Sequence, residues 1–122
     1  MSISIAKTAK VTGNAKVMDN AFVGGYAWVC GGAWVSGNAE VGDIAMVFGN
    51  AVVHGNAQLS GRAMVSGNAY VHGHAYVHGH AHVSGHAHVS GNTEVYGYAT
   101  LEGYVTISSG WIWDVHWWRD VP

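Results

Sequence analysis

The chain has one cysteine, one proline and few charges, and each shortage closes off a class of protein. A single thiol, Cys30, excludes an internal disulfide framework. Five Lys and Arg against seven Asp and Glu give a net charge of −2. These are too few and too scattered to track a phosphate backbone, so nucleic acid is not an expected partner. The stretch from Ala21 to Ala39 carries no charge at all, and hydropathy alone would read it as a membrane span. Its recurring glycines point to tight corners instead, and no membrane partner is expected. Met1-Ser2-Ile3-Ser4-Ile5-Ala6-Lys7 lacks the basic-then-apolar order of a secretory leader, so nothing indicates export.

What the chain does have is a six-residue phrase, as in Asn68-Ala69-Tyr70-Val71-His72-Gly73, running without insertion or deletion from Ile3 to about Ile107. Each hexad reads turn residue, small, variable, aliphatic, variable, glycine. The aliphatic slot recurs at 18 positions, 14 of them Val and the rest Ile5, Leu59, Leu101 and Ile107, so no slot is polar. The small slot is Ala at 15 of 18, with Ile3, Thr93 and Val105 as exceptions. Two inward side chains flanking one outward one is the alternation of a β-strand. The glycine slot holds Gly at 14 of 18 positions, and all seven Asn follow it directly. Gly and Asn tolerate positive φ, so each Gly-Asn pair marks a corner. A unit this short buries its apolar side only by stacking on its neighbours, which makes the chain a solenoid.

Across about residues 3 to 107 these hexads resemble the hexapeptide-repeat, left-handed parallel β-helix superfamily. The resemblance implies three hexads per triangular coil and hence about six coils, wound left-handed. The fold class is then all-β, with residues 1-110 as the repeat domain and 111-122 as a Trp-rich terminal segment.

With 18 residues per coil, outward positions 18 apart stack into three faces. One reads Ser4, Phe22, Glu40, Gln58, Tyr76, Glu94 and is mixed. The second reads Lys10, Trp28, Met46, Met64, His82, Thr100, and the third Lys16, Trp34, Val52, Tyr70, His88, Thr106. The middle coils of these two are apolar, and contiguous exposed apolar surface marks association. We therefore expect Trp28, Trp34, Met46, Val52, Met64, Tyr70, His82 and His88 to form a homo-oligomer interface. Members of the resembled superfamily are mostly trimers packed side by side, which implies a trimer. Lys7, Lys10 and Lys16 are all the lysines and sit in the first coil, a charged, solvated edge. Ile3 in its small slot is expected to fill that coil more fully.

The tail holds four of six Trp. By strict period Trp111 and Trp113 fall in the small and aliphatic slots, where an indole does not fit, so the period is expected to end there. Trp111, Trp113, Val115 and Trp117 alternate, and with Trp118 they are expected to cap the barrel or dock a neighbouring subunit or a protein partner.

Seven of nine His lie between positions 72 and 88. His74, His80 and His86 occupy the slot mostly held by Asn and read as corner residues, because His is also enriched at positive φ. His54 lies one coil below His72 in a surface column shared with no evident ligand set; His78 holds the equivalent slot on another edge. His82 and His88 continue the two apolar faces and are the weak metal candidates. Carbonic anhydrases of the resembled superfamily use two His separated by four residues, a spacing absent here, so no cofactor or metal is assigned. Its acyltransferases hold a donor with long loops and a C-terminal helix, and this chain has neither. Regular repeats of this kind also resemble bacterial and phage proteins filed as acyltransferases, which keeps an intersubunit transferase as the alternative reading. The residues read best as a non-enzymatic structural or interaction module, a trimeric rod such as part of a virion fibre or spike, located in the cytoplasm or in a virion.

Overall fold

The computed structural model describes residues 4–119, with the side chains of Trp118 and Arg119 left undescribed. Twenty short strands, numbered in chain order, form three parallel sheets. The first sheet stacks β1 (Ser4–Ile5), β4 (Phe22–Val23), β7 (Glu40–Val41), β10 (Gln58–Leu59), β13 (Tyr76–Val77), β16 (Glu94–Tyr96) and β19 (Trp111–Trp113). The second stacks β2 (Lys10–Val11), β5 (Trp28–Val29), β8 (Met46–Val47), β11 (Met64–Val65), β14 (His82–Val83), β17 (Thr100–Gly103) and β20 (His116–Arg119). The third stacks β3 (Lys16–Val17), β6 (Trp34–Val35), β9 (Val52–Val53), β12 (Tyr70–Val71), β15 (His88–Val89) and β18 (Thr106–Ile107). The chain is therefore an all-β parallel solenoid of about six turns. The uncharged stretch from Ala21 to Ala39 winds through β4, β5 and β6.

Register follows the 18-residue period, as in Trp28 opposite Met46 and Trp34 opposite Val52. The outward residue of each strand donates its N–H to the small-slot carbonyl one coil on, as Trp28 does to Ala45 at 3.0 Å. Around the corner Cys30 donates to Val47 at 2.9 Å and Gly32 to Gly49 at 2.8 Å, so corners as well as strands are bonded coil to coil. The Ala and Val columns from Ala21 to Val89 are buried and make the core. Thr93 is buried in a small slot and satisfies its hydroxyl by donating to the Ser90 carbonyl at 2.7 Å. Coverage fails at the first coil, where Ile5 is 45% exposed and Val11 and Val17 are half-buried. Ile3, expected to fill that coil, lies outside the described residues.

Corner conformation differs from the expectation in one respect. Through the regular hexads, up to Gly103, positive φ falls on the glycine slot alone, and where Asp replaces Gly the left-handed conformation is kept, at Asp19 (62°) and Asp43 (55°). The Asn positions and His74, His80 and His86 are not left-handed. Gly must hold that slot for a second reason as well. A Cβ on Gly67 would lie 2.9 Å from the Gly85 nitrogen and 3.0 Å from its oxygen, so the coils approach too closely at the corner for a side chain. Asp19 and Asp43 each offset the substitution by accepting the backbone N–H one coil on, from Gly37 at 3.1 Å and Gly61 at 2.8 Å.

The strict six-residue period ends at Trp111, as expected, but coil-on-coil stacking continues past it. Glu94 pairs with Trp111 and Val95 with Ile112, a step of 17 residues, and Thr100 pairs with His116, a step of 16. Gly110, at φ 97°, takes over the small-slot role by accepting from the Glu94 N–H at 2.9 Å. One residue lost at the corner reverses the alternation, so Ile112 turns inward, 8% exposed, while Trp111 and Trp113 turn outward, 76% and 49% exposed. Trp111 and Trp113 thus flank the rod.

Candidate functional site

The outward columns fall as the period requires. Trp28, Met46, Met64 and His82 run along the second sheet, and Trp34, Val52, Tyr70 and His88 along the third. Trp28 and Trp34 are 40% and 43% exposed, and the other six are half-buried by their neighbours in the column. Lys10 and Lys16 lie over the two indoles, at 5.5 and 5.4 Å from the ring centroids, which screens their faces at the first-coil end.

Besides these columns, at several coils the residue after the aliphatic slot meets the outward residue of the next coil, 16 positions on. Trp28 Nε1 donates to Thr12 Oγ1 at 3.2 Å, and Ser60 Oγ to the Tyr76 hydroxyl at 3.4 Å. His54 Nε2 bonds the Tyr70 hydroxyl, His72 Nε2 faces His88 Nε2 at 2.5 Å, and His78 Nε2 bonds Glu94 Oε2 at 2.7 Å. Glu102 Oε1 and His116 Nε2, at 3.2 Å, make the same diagonal after the shortened corners. The spacing is a property of the wall, and its chemistry depends on which side chains occupy the two ends.

On the edge after the third sheet, two diagonals stack into a ladder. The His54 and His72 rings lie parallel, 3° apart with centroids at 5.0 Å. Tyr70 packs against His72 at 4.6 Å and His88 at 4.9 Å. Burial, and then the charge that His72 and His88 would carry, hold the His54 imidazole below its ordinary pKa. Burial and then His72 do the same for His88. Both are neutral at pH 7. Beside the ladder, Trp34, Ser36, Val52, His54, Asn68 and Tyr70 line a shallow open groove.

Three further histidines stack on tyrosines. His80 lies on Tyr98 at 4.8 Å and His86 on Tyr104 at 4.7 Å, within 7° and 2° of parallel. His78 is sandwiched between Tyr76 and Tyr96 at 4.2 and 5.3 Å. His82 and His88 lie on different sheets and do not meet within the chain. Sequence columns place His54 below His72 correctly but miss the contact of His72 with His88. The signal was present as the recurrence of paired polar and aromatic residues 16 apart.

Among the described residues no group of three or more His, Cys, Asp or Glu is arranged to hold a metal ion. No helix among them is long and apolar enough to cross a membrane.

A family model described as YdcK Beta solenoid repeat matches residues 57–73. These cover the strands β10, β11 and β12, one turn of the wall. No curated protein matches the chain, and no solved structure does. The matched segment is similar to a repeat of that family, and it carries two members of the ladder, Tyr70 and His72.

Proposed function

We propose that the chain is a non-enzymatic structural or interaction module, a rigid rod that associates as a side-by-side trimer. In this reading the winding is left-handed, as in the hexapeptide-repeat superfamily that the sequence resembles. One observation carries the proposal. Two adjacent sheets present continuous apolar columns, headed by the half-exposed indoles of Trp28 and Trp34 and continued by Met46, Met64, Val52 and Tyr70. Two sticky faces on neighbouring sides of a prism suit threefold packing, in which each subunit offers one face to each sister. The outward indoles of Trp111 and Trp113 add a separate apolar site near the end of the described chain, suited to a protein partner such as another component of a virion fibre or spike.

Multi-angle light scattering tests the association. The wild type is expected at three chain masses, and Trp28→Glu with Trp34→Glu is expected to be monomeric with an unchanged circular dichroism spectrum. A wild type that is monomeric at micromolar concentration overturns the proposal.

A further inference from the structure

The diagonal between His72 and His88 brings together two nitrogen donors toward the far end of the third-sheet column. We propose that these two imidazoles form a binding site for a nitrogen-preferring divalent transition-metal ion, held by both Nε2 atoms. The two nitrogens face each other at 2.5 Å. A neutral imidazole has one N–H and one lone pair, so a facing pair shares a single proton and at least one lone pair is aimed across the gap. Replacing that proton with a metal ion requires about 2.0–2.1 Å from each nitrogen and an open angle between them, which side-chain torsions reach by parting the rings by less than about an ångström.

The surroundings favour a metal over the alternatives. His78, on another edge, meets the Glu94 carboxylate, and His116 meets Glu102, so each of those imidazoles already has a carboxylate acceptor. The His72–His88 pair has no carboxylate in its recorded contacts and is bordered by His54 and Tyr70. The parallel His54 ring and the Tyr70 ring against both imidazoles hold the donors in orientation, a role usually filled by groups around the ligands. Imidazole pairs suit Cu²⁺ and Zn²⁺ among common ions, with Cu²⁺ the tighter. Two protein ligands leave the remaining coordination positions to water or an added donor.

Titration of the full chain with Cu²⁺, followed by calorimetry and electron paramagnetic resonance, tests the site. The wild type is expected to bind one equivalent saturably, with nitrogen hyperfine structure. His72→Ala and His88→Ala should each weaken binding by about tenfold or more, because the second imidazole acts as an intramolecular ligand. His80→Ala, at a corner and stacked on Tyr98, should leave it unchanged. All three side chains lie on the outer wall, and circular dichroism verifies that the variants fold. Absence of saturable binding, or equal loss in His80→Ala and in the pair variants, overturns the proposal. Light scattering on the same samples reads the association separately, so the two proposals succeed or fail independently.

Discussion

At the scale of single residues, the corner glycines are not equivalent, and geometry separates them. Gly67 has φ +64° and a Cβ there would lie 2.9 Å from the next coil's backbone, so Gly67→Ala meets both left-handed strain and a close contact. The strain alone costs about 1–3 kcal/mol. Gly42 follows an aliphatic slot, has no positive φ, and a Cβ there would meet nothing within 4 Å. Gly42→Ala is therefore expected to be neutral or to stabilise by about 0.4–1 kcal/mol through the unfolded chain. Denaturant melts of the two variants check the contrast, and equal effects would contradict it. The glycine slot was legible because its residue type repeats. Which of its two neighbours takes positive φ was not, since Asn and His tolerate that conformation when nothing competes for it, and here Gly already supplies it.

At the scale of elements, the last two strands show what a period can and cannot reveal. Eighteen Val, Leu and Ile slots in strict register made the strands and their columns legible before any coordinates. Counting on in sixes put Trp111 and Trp113 inside, whereas a corner shortened by one residue puts Ile112 there. The clue was local: Ile112 stands between two indoles, and only one of those two alternations fits a barrel lined by Ala and Val. The prediction is that Ile112→Asp releases β19 and β20 while leaving the coils before them intact. Burying an unpaired carboxylate is costly, and each of these strands has a neighbour on one side only among the described residues. Hydrogen exchange should show lost protection after about Gly110 and at the Glu94 and Thr100 amides, which donate to the released segment. Loss that spreads to the Val65 and Val83 rows would mean that the end strands hold the whole stack. The 16-residue diagonal was equally open to counting, yet stacking by equal slots draws attention to 18 and hides it.

At the scale of the whole molecule, near-identical hexads mean that folding and facing are separable. Removing Ala45 to Arg62 takes out three hexads and rejoins the chain in register, so Trp28 is followed by Met64 and Trp34 by Tyr70 on their own faces. Removing only Ala45 to Asn50 leaves every strand a partner but moves each later residue to the adjoining side, setting Gln58 after Trp34. Both deletions are expected to give β-rich circular dichroism. Light scattering should find trimers for the longer deletion and a loss of association for the shorter one, because Gln58 and Glu94 then interrupt the column that begins at Trp34. The opposite ranking would show that association does not depend on those faces.

The winding consequently acts like a single screw thread that crosses three faces in every turn. A side chain's place in the count sets both its distance along the axis and its compass bearing around it. Whole turns change only the length, whereas a gain or loss of one hexad re-aims everything beyond it, without touching the core. A surface written this way can be turned on its own shaft by a change in the gene far from any residue that makes the contact.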